Sequence, residues 1–316
     1  MNDRPHVKLS PTGKTRVGVV ALLAMISSSS AFAQAAAAPQ IAIPALASNL
    51  SINPKRVTFA GLGKAATISV YNQGATGRFD VELVDRIMLP DGQIIAASDA
   101  ASKPELKPEL DRLKSAKALI ITTPRRLQLA ASSGQVIRVR AAATADVAPG
   151  EYRTHLTVTG LPPADAGLTA DDAAAKAPGQ LSFRINSVLG ISIPVIIRVG
   201  AIDVRAGIEH AAVAVESVSP DGRAAPVPTA ILSLELVRQG PNSLFGDLEI
   251  RGAKESGSQP PLGIVRSIGV YPEIERRFVK IPLRRIPAAG ERIDIQFRDD
   301  DIHPGAVLAK VSLSAP

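Results

Sequence analysis

The sequence predicts an all-β chain built as two β-sandwich domains in tandem, and three observations predict it. Short stretches alternate apolar and polar residues along most of the chain, Gly, Pro and Asp turns separate them, and almost no stretch repeats at helical spacing. The 316 residues include no cysteine, so thiol catalysis, disulfide staples and zinc–cysteine sites are excluded. Such a chain must rely on its hydrophobic cores.

The N-terminus reads as a secretory signal over residues 1–33. Arg4, Lys8, Lys14 and Arg16 give a positive start, Val17 to Met25 is a short apolar run, and Ala31-Phe32-Ala33 is a small-x-small cleavage site. The apolar run is too short to span a bilayer, which takes roughly 20 residues, and no later stretch is long and apolar enough. The expectation is a secreted chain without stable membrane insertion. Removing residues 1–33 takes away four Lys/Arg and one Asp, so the formal charge falls from +7 to +4. That modest balance, with few aromatics and none interleaved with basic clusters, gives no nucleic-acid signature.

Residues 34–48, rich in Ala and Pro, read as a flexible leader, and residues 49–200 as the first domain. Its strand signals are plain. Ile68 and Val70 share one face of Thr67–Tyr71, and Phe79, Val81 and Leu83 alternate with polar neighbours in Arg78–Asp85. Ile137 and Val139 point inward between Arg138 and Arg140, and Tyr152, Thr154, Leu156 and Val158 share another face. Leu89-Pro90-Asp91-Gly92 is a turn, because Pro presets φ and Gly supplies a positive one. Pro104–Lys117 carries Leu106, Leu110 and Leu113 at helical spacing and reads as a helix or an insertion loop. Gly160–Gln180 is of low complexity and reads as a mobile connection. Leu181–Arg198 then forms one long apolar β segment, interrupted by Gly190 and Pro194. Residues 201–316 form the second domain, with strands at Ile231–Val237, Ile264–Val270, Phe278–Leu283, Ile293–Phe297 and Val307–Leu313.

Four segments stand in order along the first domain: Leu50–Phe59 (LSINPKRVTF) with Tyr71-Asn72-Gln73, Thr123–Val139 (TPRRLQLAASSGQVIRV), Ala148–Val158 (APGEYRTHLTV) and Gly190–Gly200 (GISIPVIIRVG). Taken in this order, they resemble the PapD-like periplasmic pilus (fimbrial) assembly chaperones. Together they span the first domain; the second matches only in size and in its closing pattern, Asp299–Leu313. The resemblance implies immunoglobulin-like sandwiches, a periplasmic location and a binding role without catalysis or cofactor. The implied partners are pilus or fimbrial subunits, and the resemblance also allows an outer-membrane usher.

Such chaperones complete a subunit's unfinished sandwich by lending it an edge strand with apolar residues at every second position. Leu181, Phe183, Ile185, Ser187 and Leu189 meet that requirement with one polar interruption, although a strand packed on its own core would alternate in the same way. The family also anchors the subunit's terminal carboxylate with two cations. Arg56 falls at the first position; the second, a Lys in the family, is Pro194 here, which leaves Lys55 or Arg198 as substitutes, or a different mode of anchoring. An interdomain charge group is implied at Arg138, Glu151 and one acid of Asp299–Asp301, represented by Asp300. The alternatives are a solvated strand charge for Arg56 and an acidic turn for Asp299–Asp301.

Other chemistry is weakly signalled. His155 reads as a solvated strand histidine. His303 beside Asp299–Asp301 lacks the Gly and Glu of an EF-hand loop, so no metal site is expected. No nucleophile elbow, phosphate loop or zinc-protease motif occurs. One rival reading is a structural or adhesive pilus component, which should carry an alternating donor extension at its N-terminus; the Ala/Pro leader has none long enough. Another is a secreted sugar-binding module or carbohydrate-active enzyme. The absence of Trp weakens it, because sugar platforms commonly use aromatic faces.

Overall fold

A computed structural model describes residues 50–143, 147–162, 190–220, 222–255 and 259–316. The signal and leader segments and Leu181–Leu189 lie outside these residues.

The first sandwich pairs two sheets. One has the order β1-β3-β9-β7, from β1 (Leu50–Asn53), β3 (Ala65–Asn72), β9 (Ser133–Ala141) and β7 (Ile120–Thr123). The other has the order β2-β11-β10-β4-β8, from β2 (Val57–Ala60), β11 (Gly190–Val199), β10 (Gly150–Leu161), β4 (Gly77–Val84) and β8 (Arg126–Leu129). Alternation decides what each strand buries. Ile68, Val70, Ile137 and Val139 from one sheet meet Phe79, Val81, Leu156, Val158, Ile193, Val195 and Ile197 from the other. Strand β2 runs parallel to β11 and pairs only with Val195–Arg198.

The second sandwich packs β12 (Ala206–Val218), β13 (Val227–Arg238) and β16 (Arg276–Pro282) against a four-stranded sheet. That sheet has the order β15-β14-β17-β18, from β15 (Gly263–Val270), β14 (Leu244–Gly252), β17 (Arg292–Asp299) and β18 (Val307–Ser314). Leu232, Leu234, Leu236, Leu248, Ile250, Ile293, Ile295 and Phe297 fill its core. The protein is therefore all-β, with two immunoglobulin-like sandwiches in tandem.

A hairpin of β5 (Arg86–Met88) and β6 (Ile94–Ala96) leaves the first sandwich and reaches the second. Met88 joins the second core, and Pro90 accepts a 2.7 Å hydrogen bond from the Phe278 backbone N–H. Ile196 of β11 joins the same core, because it points away from Val195 and Ile197. The Leu106–Leu113 periodicity yields only a short 3₁₀ turn, Pro104–Leu106, and one helix, Lys107–Arg112. Proline lacks the N–H that a continuous helix needs, and Pro104 and Pro108 confine the helical turns. Among the described residues no helix is long and apolar enough to cross a membrane.

Candidate functional site

The outward faces of β10 and β11 meet the second sandwich. On β10 the inward residues Tyr152, Leu156 and Val158 pack on the first core, so Glu151, Arg153, His155 and Thr157 point the other way, and all four are buried. On β11, Arg198 pairs in register with Glu151, and directly paired residues share a face.

Four charges converge there. Arg198 donates from Nε to Glu151 Oε2 at 2.9 Å and from Nη2 to Asp301 Oδ2 at 2.7 Å. Arg56 Nη2 donates to the same Asp301 oxygen at 2.9 Å, and its Nε donates to Thr58 Oγ1 at 3.2 Å. The Arg56 guanidinium lies 4.4 Å from the centre of the Phe245 ring, within cation–π range. Glu151 Oε2 also accepts the Ser243 backbone N–H at 3.0 Å. Glu151 and Arg198 are sealed, each with 1% of its side chain exposed, whereas Arg56 and Asp301 keep 11% and 12%. Burial alone would push the Arg198 guanidinium down, but the Glu151 and Asp301 carboxylates raise it above its ordinary value. Three atoms of this group are buried without a hydrogen-bond partner among the described residues: Arg56 Nη1, Arg198 Nη1 and Glu151 Oε1.

The expected site residues divide accordingly. Arg56 and Glu151 stand in the cluster. Arg138 does not: it is exposed on β9, opposite Thr67 and Thr123, and among the described residues no ion pair joins it to a carboxylate. The correction has a simple cause. Strand β9 belongs to the opposite sheet, and Ile137 and Val139 point into the core, so Arg138 points out of the far face of the sandwich. Arg198 takes the place expected of it. The second-domain carboxylate is Asp301 and not Asp300, which is exposed and donates its backbone N–H to Phe245 O. Asp299 is buried and accepts the backbone N–H groups of Asp301, Ile302 and His303, so it fixes the turn. Pro194 lies opposite His155. Leu181, Phe183, Ile185, Ser187 and Leu189 lie outside the described residues.

A second cluster was not foreseen. Arg153 Nη2 donates to Glu273 Oε2 at 2.6 Å, with 2% of each side chain exposed. The same Arg153 atom donates to Arg86 O at 2.9 Å, and its guanidinium stacks 3.9 Å from the Tyr271 ring centre. His155, expected in solvent, is buried beside Arg153 with its ring nitrogens 3.4 and 3.5 Å from Arg153 Nη1. Burial, then the Arg153 and Arg86 charges, push its pKa from 6.5 to about 2, so it is neutral. The expectation failed because alternation marks a residue as outward-facing without revealing that a second domain covers that face.

Glu209, His210 and Glu235 bring potential metal-ligand atoms within 4.8 Å of one another. Arg276 Nη1 already donates to both carboxylates, at 2.6 and 2.9 Å, so this grouping is an ion-pair network centred on a guanidinium. An open cleft of about 810 Å³ lies elsewhere, against Val81, Leu83 and Ile120, and touches neither cluster.

No protein-family model matches the chain, and a search of curated proteins finds no significant match. Among solved structures the chain is similar to the SafB chaperone complex with the SafA pilin of Salmonella enterica, at 14% identity and a TM-score of 0.38, covering 84% of this chain and 95% of that one. It is similar to the CupB2 chaperone of Pseudomonas aeruginosa at 10% identity and a TM-score of 0.38, covering 84% and 100%. It is also similar to the E. coli chaperone DraB at 13% identity and a TM-score of 0.37, covering 84% and 96%.

Proposed function

We propose that this chain is a periplasmic chaperone that binds and caps pilus or fimbrial subunits by lending them an edge strand, with Arg56 anchoring a subunit carboxylate. The observation that carries the reading is the open edge of β11. Strand β2 pairs only with Val195–Arg198, so the outer edge of Gly190–Pro194 has no ladder partner among the described residues. Proline is tolerated at such an edge because no sheet bond needs its missing N–H, and Pro194 sits there. Thr159 pairs with Gly190, and β10 ends at Leu161, so the first sandwich offers little further strand to the residues before Gly190.

Leu181, Phe183, Ile185, Ser187 and Leu189 immediately precede this edge. Their odd-numbered positions continue the series of Ile193, Val195 and Ile197, the core-facing residues of β11. On this reading their apolar side chains fill a subunit's groove instead of the chaperone's own core. Four large side chains at roughly 1.5–3 kcal/mol each amount to about 10 kcal/mol before ordering costs. The secretory signal expected from the sequence of residues 1–33 supports the periplasmic location.

The test is the double substitution Phe183→Asp and Ile185→Asp in the secreted protein. Desolvating an unpaired carboxylate costs several kcal/mol, so subunit capture falls by roughly three orders of magnitude while the free protein stays folded. Unfolding of the variant would place these residues in the first core. A folded variant that retains its subunit on co-purification would end the edge-strand reading.

A further inference from the structure

We infer that the outward face of the β1-β3-β9-β7 sheet docks the secreted chain on an anionic phospholipid surface, by peripheral contact through side chains. The inference is independent of the edge-strand reading. This sheet is the one that carries neither β11 nor the contacts to the second sandwich, so a partner on it leaves both uncovered.

Charge composition singles the face out. None of its four strands contains Asp or Glu, and β9 sets Arg138 and Arg140 on the outward side, two residues apart. At about 3.3 Å per residue they stand about 6.6 Å apart along the strand and repel each other. Among the described residues neither has a hydrogen-bonding or ion-pair partner. Lys64, at the head of β3, is exposed, and its backbone carbonyl accepts the Ala141 N–H at 2.8 Å, so a third cation borders the Arg140 end. The outward face of the larger sheet of the second sandwich is built differently. There Arg266, Arg292 and Arg298 are paired with Asp247, Asp294 and Glu249 at 3.2, 3.0 and 3.7 Å. A face without acids draws its counter-charges from outside.

Apolar side chains decide which carrier of anions fits. Ile121 stands directly opposite Arg140, Val136 shares the outward side of β9, and Tyr71 stands opposite Gly134. They are 44%, 55% and 41% exposed. The Tyr71 ring lies against Gly134, where an added Cβ would come within 3.2 Å of it, and its hydroxyl donates to Ser132 O at 3.0 Å. The ring is thus held along the sheet, beside an open hollow of about 450 Å³ shared with Val136. A bilayer surface supplies phosphates with an apolar layer just beneath them, and Tyr suits that boundary. An acidic protein patch would neutralise the arginines but bring carboxylates against Ile121 and Val136. Two copies face to face would set one acid-free face against another.

The experiment floats the secreted chain beginning at Gln34 with vesicles of phosphatidylcholine, with and without about 30% phosphatidylglycerol, at about 50 and 300 mM salt. Binding should require phosphatidylglycerol and fall with salt. Each basic residue near an anionic leaflet is worth roughly fivefold, so Arg138→Gln with Arg140→Gln should weaken binding about thirtyfold. Val136→Ser should weaken it about threefold. All variants should keep the wild-type circular dichroism; if the arginine pair does not fold, the single variants, each expected to lose about fivefold, carry the same test. Lys103→Gln with Lys310→Gln removes the same charge from exposed positions elsewhere and should change binding less than about twofold. Equal binding to both vesicle types, no binding at the lower salt, or equal losses in the two double variants would overturn the inference. Polyglutamate should bind more weakly than the anionic vesicles; binding as strong would assign the face to an acidic polypeptide and overturn the lipid reading.

Discussion

Glu151 and Arg153 are two residues apart on the same face of β10, yet the charge clusters they belong to are built differently. Arg153 is paired with one carboxylate, Glu273, both 2% exposed and closed over by Tyr271 and the β5–β6 hairpin, and its Nε is buried without a hydrogen-bond partner among the described residues. Around Glu151 there are two cations and two carboxylates, two of the four partly open, with Arg56 Nη1, Arg198 Nη1 and Glu151 Oε1 lacking hydrogen-bond partners among the described residues. Both clusters join the sandwiches through arginine–carboxylate chemistry. The Arg153 pair is closed to solvent, whereas Arg56 and Asp301 keep a partial opening to it. Access, more than the residue types, separates the two clusters.

The sharpest way to break the comparison is to remove one partner of the sealed pair. Glu273→Leu strands Arg153 as a buried unpaired charge and should cost about 3–5 kcal/mol of stability in urea unfolding. Adding Arg153→Leu should recover much of that loss, because two apolar groups replace two desolvated ions. A single-variant cost under about 1 kcal/mol would mean that water reaches the pair and that the two clusters do not differ in kind.

The pH dependence sharpens the same contrast. Folded His155 has a pKa near 2, whereas in the unfolded chain it protonates near 6.5. Its contribution to stability is therefore complete above about pH 6.5 and is lost steadily as pH falls toward 2. Between about pH 6.5 and 4.5, where most carboxylates stay ionised, the loss should approach 1.4 kcal/mol per pH unit, the value for one proton. His155→Gln should flatten that slope in denaturant unfolding series. An unchanged slope would show that the histidine beside Arg153 is not sealed from solvent.

The smallest expected effect belongs to Arg138. Placed on the opposite face of the first sandwich, Arg138→Ala should change stability by less than about 0.5 kcal/mol and leave the Arg198 Nε–H signal unmoved. A shift of that signal would bring Arg138 back into the interdomain group.

Much of the architecture was legible from local pattern. The alternation in Thr67–Tyr71, Gln135–Ala141 and Ile293–Phe297 falls within β3, β9 and β17, and that in Arg78–Asp85 matches β4 except for Asp85, which lies just past its end. Strands β12 and β14 were not anticipated. Strand β12 is rich in Ala and largely exposed or half-buried, so its apolar signal is weak, and in β14 Gly246 and Asp247 interrupt the run before Leu248 and Ile250. The candidate site was legible as residue types: an arginine near the first strand, a glutamate on Glu151–Val158 and acids before the last strand. The choice of Arg138 over Arg198 could not be settled there, since each alternates with apolar neighbours.

What the sequence by itself determined was which side chains leave the core, because the two-residue period of a strand is a local property of the backbone. Which outward faces become interior was decided only by tertiary structure. Arg198 and Asp301 are 103 residues apart and meet because one sheet of the first sandwich, and not the other, docks against the second. That docking turns Glu151, Arg153 and His155 into buried groups and leaves Arg138 in water. It depends on long-range packing by Met88 and Ile196 in the second core, which no local periodicity encodes.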